Sequence, residues 1–107
     1  NNIQLDSFSR QLQARMNYLQ QRAIIEGKPI YLNIDKDNKE YWVGKDAQNK
    51  LKTYQIPAEI NIETDKEKIA FYPDGTIDKV TLKLINRDSR YVNLTTQGVF
   101  SGIKLQR

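Results

Sequence analysis

Two carboxylate pairs, Asp74 with Asp78 and Glu59 with Glu63, are spaced so that one group could act as acid and the other as base. They stand without helpers. The 107-residue sequence contains neither His nor Cys, which removes imidazole proton transfer at neutral pH, imidazole- or thiolate-held zinc, and disulfides. No glycine-rich phosphate loop or nucleophile motif accompanies the pairs, and 13 acidic residues spread over so short a chain produce such pairs by chance. Neither an enzyme nor a cofactor is expected. Asp35, Asp37 and Asn38 crowd one loop, but a calcium loop needs a central Gly and a terminal bidentate Glu, and here Lys36 and Lys39 interleave instead. That segment reads as a polar turn with no metal. The remaining chemistry is electrostatic. Arg87, Arg90, Lys104 and Arg107 fall near Tyr91 and Phe100, a mixture of cations and stacking rings suited to single-stranded nucleic acid. The formal charge of +4, from 17 basic and 13 acidic residues, is too mild to decide for that partner alone.

The elements that must position these residues begin with one amphipathic helix over 1–27. Leu5, Phe8, Leu12, Met16, Leu19 and Ala23 recur at spacings of three and four and line one side of a 3.6-residue period. Good helix formers continue unbroken to Gly27, where Gly and then Pro29 supply a stop. No stretch approaches about 18 consecutive apolar residues, the length of a membrane-spanning helix. Beyond the helix the chain reads as sheet. Lys28 to Ile34 alternates and pairs with a return strand at Tyr41 to Val43; Leu51 to Ile56 is a short strand ended by Pro57. Ile60, Ile62 and the segment from Ile69 to Tyr72 flank a charged turn, and Pro73-Asp74-Gly75-Thr76 has the composition of a tight one. Val80, Leu82 and Leu84 then oppose Val92 and Leu94 in a second hairpin, and the tail from Gln97 to Arg107 gives a last short strand. The expected class is α+β, one long helix whose stripe lies on seven or eight short antiparallel strands. A single domain over 1–107 is expected, divided into the helix (1–27) and a β-rich part (28–107).

In this order the segments resemble the periplasmic domain of the minor pilin and pseudopilin family, which includes the H-type pseudopilin of type II secretion and its type IV pilus relatives. The resemblance is carried by the helix with Leu12, Ala14, Arg15 and Ala23, the strand from Pro29 to Ile34, the isolated Trp42, the block Phe71 to Thr76 with Ile69 and Ala70 before it, and the late Gly98. It implies a truncated pilin-like fold and a non-enzymatic subunit that helps initiate or cap a thin filament. The implied partners are other minor and major pilin or pseudopilin subunits. An apolar helical segment ahead of Asn1 would place the protein in the bacterial inner membrane, with this domain in the periplasm. Some type IV relatives take part in DNA uptake through a basic C-terminal region, so a nucleic-acid-binding module remains the alternative, with Arg87, Arg90, Tyr91, Lys104 and Arg107 as its contacts.

For the filament, a helix this long is expected to overhang a small sheet at its N-terminal end, which makes Leu5 and Phe8 subunit-interface candidates while Leu12 to Ala23 form core. Trp42 is expected to fill the core and Tyr41 to shield a sheet edge, with both as interface anchors in the alternative reading. Phe71 is expected to pack inward above a turn made by Asp74 and Gly75.

Overall fold

The computed structural model describes residues 2–46, 48–96 and 103–106. Helix α1 (Asn2–Glu26) is closed by Gly27, whose φ of 69° suits a residue without Cβ and whose N–H donates to the Ala23 carbonyl at 3.0 Å. Eight described strands succeed it: β1 (Ile30–Asp35), β2 (Glu40–Gly44), β3 (Lys50–Gln55), β4 (Asn61–Glu63), β5 (Lys68–Phe71), β6 (Thr81–Ile85), β7 (Tyr91–Thr96) and β8 (Ile103–Gln106). They form two four-stranded antiparallel sheets, in the orders β3-β2-β1-β5 and β4-β6-β7-β8. Both hairpins expected from alternation are present, with Leu32 opposite Val43 in the first and Leu84 opposite Val92 in the second. The tail strand is present as β8. Residues 97–102 and 107, and with them Gly98, Phe100 and Arg107, lie outside the described residues.

The chain changes sheet three times, between β3 and β4, between β4 and β5 and between β5 and β6, and the apolar residues of the first and third crossings, Ile56, Ile60, Ile77 and Val80, are buried. They join the helix stripe and the inward faces of both sheets in one continuous core. This arrangement explains why the helix does not overhang. Twenty-five residues at 1.5 Å each make a rod of about 37 Å, and the longest extent of the molecule is 41 Å. The stripe from Leu5 to Ala23 is buried throughout, in the cluster that holds the inward faces of both sheets, so the two sheets together cover it. Leu5 and Phe8 are each 3% exposed, as deeply placed as Leu19, and the Phe8 ring meets the Tyr41 ring edge-on at 6.3 Å. The expectation that Leu5 and Phe8 project beyond the sheet is thus corrected: both are core.

The reading of Tyr41 as the shield of a sheet edge is corrected, and Trp42 is buried as expected but outside the common core. Strand alternation puts Tyr41 and Val43 on the helix side with Leu32 and Ile34, and sends Trp42 to the opposite face of its sheet. Tyr41 is almost completely buried in the common core. Trp42 lies outside that core cluster, screened across the outer face, with the Lys50 Nζ 5.1 Å from its ring centroid. The Phe71 to Thr76 block behaves as expected. Phe71 is fully buried, the Asp74 carboxylate accepts from the Thr76 N–H at 3.0 Å and its hydroxyl at 2.7 Å, and the Gly75 carbonyl accepts from the buried amide of Gln20 at 2.9 Å. The turn is thereby fastened to the helix.

Candidate interaction surface

Opposite the buried stripe, α1 carries a second row of apolar and small residues. Ile3, Ala14, Tyr18 and Ile25 are spaced by 11, 4 and 7, each close to a whole number of turns, so they fall in line. All four are exposed, Ile3 by 79%, Tyr18 by 60% and Ile25 by 72%. A helix with apolar residues on both sides has one side for its own core and another that remains uncovered. The periodicity was available in the sequence; the stronger stripe of larger residues masks it.

The helix is held rigidly beneath this row. Arg15 Nη1 donates to the Tyr41 hydroxyl at 2.6 Å, and its guanidinium lies 3.6 Å from the Tyr54 ring centroid, while Tyr41 and Tyr54 stack at 5.1 Å. Burial raises the Tyr41 phenol above its ordinary value, with Arg15 pulling the other way. Gln13 Nε2 donates to the Ile103 carbonyl at 3.0 Å, and the side-chain Oδ1 of Asn17 accepts from the Ile103 N–H at 3.3 Å, so one face of the helix captures both backbone groups at the start of β8.

The carboxylates singled out for chemistry are engaged locally. Asp78 accepts from the Ala70 N–H at 3.0 Å and from the Tyr72 hydroxyl at 2.9 Å, which raises the Tyr72 phenol. The Thr76 hydroxyl and N–H lower Asp74. Glu59 stands 3.7 Å from Arg87 in an exposed ion pair, and Glu63 is exposed on β4. In the 35–39 turn, Asp35 accepts from the N–H and the side-chain amide of Asn38, which lower its carboxyl. Among the described residues no group of three or more acidic side chains could hold a metal ion.

The nucleic-acid contacts do not assemble. Arg87, Arg90 and Tyr91 sit at the β6–β7 turn, whereas Lys104 pairs with Thr95, four residues further along β7 and thus about 13 Å away at 3.4 Å per residue. The Lys83 Nζ from the neighbouring strand stands 4.4 Å from the centroid of the Tyr91 ring, which stays exposed. Tyr91 and Lys104 share a face of the second sheet but stand apart along it, and Arg107 lies outside the described residues.

One long helix bedded on two antiparallel sheets, with the chain passing between the sheets three times, defines the pilin-like α+β class. The sequence matches the family model described as "Type II transport protein GspH" over residues 9–98, and the chain belongs to that family. Among solved structures it is similar to the minor pseudopilin EpsH of the type 2 secretion system of Vibrio cholerae, with a TM-score of 0.77 and 14% identity over 95% of each chain. It is similar as well to the type IV minor pilin FimU of Pseudomonas aeruginosa in two crystal forms. One gives a TM-score of 0.79 and 19% identity over 99% of this chain and 90% of FimU. The other gives 0.77 and 18% over 96% and 93%. At these identities the likeness is one of fold. No curated protein matches the sequence.

Proposed function

We propose that the protein is a non-enzymatic minor pseudopilin or pilin subunit that helps initiate or cap a periplasmic filament of the type II secretion or type IV pilus kind. Before assembly, an apolar helical segment upstream of Asn1 holds it in the inner membrane. No described helix is itself long and apolar enough to cross a membrane. The observation that carries the reading is the combination of family membership with the second, uncovered apolar row on α1. In a filament of parallel helices that row is the side available to neighbours, since the other side is spent on the protein's own sheets. Tyr18, with a large rigid ring and a polar tip, is the residue best suited to anchor such a contact.

The test is incorporation. The Tyr18→Asp, Ile25→Lys double variant is expected to keep the wild-type melting temperature within a few degrees, because substitutions at exposed positions change stability by about 0.5 kcal/mol or less and a cation suits the last turn of a helix. Its amount in sheared filament preparations is expected to fall at least tenfold. Undiminished incorporation, or a native protein found in neither membrane nor filament fractions, overturns the reading.

A further inference from the structure

Where the end of α1 meets the start of β1 and the end of β2, an open groove of about 650 Å³ runs between the helix and the β2–β3 connection. Its apolar lining includes Leu19, Pro29, Val43 and two side chains held well out into solvent, Tyr18 at 60% and Leu51 at 80% exposure. The placement of Leu51 is built into the backbone. Val43 pairs with Lys52 but Gly44 pairs with Lys50, so the register slips by one and Leu51 is left opposite no residue, the signature of a bulge. Gly44, at a φ of 152°, makes this approach possible, since a Cβ there would stand 2.3 Å from the Asn49 carbonyl oxygen. A bulge can turn an edge away from partners or re-aim a side chain; this one presents a leucine beside an apolar groove.

The charges around the groove are one-sided. Arg22, Lys28 and Lys45 line it against a single anion, Glu26, which is already shared by Arg22 and by Lys28 at 3.9 Å. Lys45 has no ion pair among the described residues. Alongside runs β3, the free edge of its sheet, bearing Lys50 and Lys52. Lysines on an edge oppose the addition of a neutral or basic strand by desolvation and like charge, but they complement one that brings carboxylates. An exposed edge next to an apolar groove is the setting in which an extended segment binds, with its backbone along the edge and alternate side chains in the pocket.

We propose that this groove docks an extended acidic segment of a neighbouring filament subunit. One apolar side chain seats between Tyr18 and Leu51, and flanking carboxylates meet Lys28 and Lys45. The proposal rests on the filament reading and adds to it the chemistry of the partner and the place where it binds.

The test places a photo-crosslinking p-benzoylphenylalanine at position 51 of the protein in its native cells, with mass spectrometry of the adduct and a parallel assay of the filament fraction. The adduct is expected on a segment of another subunit that carries an apolar residue flanked by at least two carboxylates. The Lys45→Glu variant, which breaks no ion pair, should lower adduct yield several-fold; Lys28→Glu with Lys45→Glu should lower it at least tenfold at unchanged melting temperature. An adduct on a non-acidic segment, on a second copy of this chain, or on a lipid or small molecule overturns the proposal, as does a yield indifferent to charge reversal. Absence of the wild-type protein from filaments overturns the filament reading and the docking with it. Presence in filaments without an acidic adduct overturns the docking alone.

Discussion

Arg15 links helix to sheet through two different interactions with two tyrosines. Its N–H donates to the Tyr41 hydroxyl while its plane covers Tyr54, so the cation stays partly solvated and still organises an otherwise apolar junction. Changing Tyr41 to Phe removes the acceptor and keeps the ring that Phe8 and Tyr54 contact. The expected loss is roughly 1.5 kcal/mol, the lower end for a hydrogen bond to a charged group because Arg15 retains both water and the Tyr54 face. Tyr41 also sets an alkaline limit. Its phenol titrates higher in the folded chain than its ordinary value of 10.0, since burial disfavours the phenolate. The stability tied to that proton is complete below 10.0 and is lost as pH rises from there through the folded value. Tyr72 shifts in the same direction through its bond to Asp78, so part of the alkaline loss belongs to it. Thermal melts on both sides of that pH should show Tyr41→Phe less stable than wild type on the neutral side and declining less steeply on the alkaline side. Parallel decline in the two proteins would show that Tyr41 does not govern it.

At the scale of elements, the capture of β8 by the helix yields its own prediction. Gln13 and Asn17 lie one turn apart and bind the carbonyl and N–H of the same residue, Ile103, on an edge strand paired only with β7. Replacing both by Ala removes about 1 kcal/mol or more per bond. Amide exchange in 103–106 should then accelerate at least tenfold while β1 and β2 keep their protection; equal acceleration everywhere would mean that the two amides support the whole fold and not this strand. Elements of this kind were legible in the sequence to different degrees. The helix stripe, both hairpins and the 73–76 turn emerge from period and turn chemistry, because each buries one face against solvent on the other. The inward side of β2 was not legible. Tyr41, Trp42 and Val43 are three large apolar residues in succession, all of them buried, so alternation offers no choice and only pairing with Leu32 and Ile34 fixes the face. The bulge at Gly44 depends on contact with Asn49 across a connection, which no local pattern encodes. The candidate interface shifted for a similar reason: whether Leu5 and Phe8 are covered depends on the combined width of two sheets, and the exposed row on the helix is weaker in hydrophobicity than the row it opposes.

At the scale of the molecule, the two sheets share no strand pairing, and the helix and the crossing residues unite them. Such a plan permits two outcomes on unfolding: the sheets open separately, or the shared core makes them one unit. The continuity of the core favours the second, since Met16 and Leu12 of the helix are fully buried in one cluster that takes in side chains of both sheets, so opening one sheet exposes apolar surface shared with the other. The position of Trp42 makes this measurable. It is the single tryptophan and lies in the first sheet outside the common core, so its fluorescence reports the first sheet while the far-ultraviolet circular dichroism of α1 reports the helix. Leu94→Ala, a truncation wholly within the second sheet, should cost about 2–5 kcal/mol as a buried leucine replaced in a packed core. In a domain near 100 residues that amounts to a fall of the midpoint of the order of 10 °C or more. Both signals should move by the same amount and stay coincident, in the variant as in the wild type. A Trp42 transition that keeps its wild-type midpoint while the helix signal shifts would show that the first sheet stands alone, and that a subunit docked through it could remain bound while the rest of the molecule rearranges.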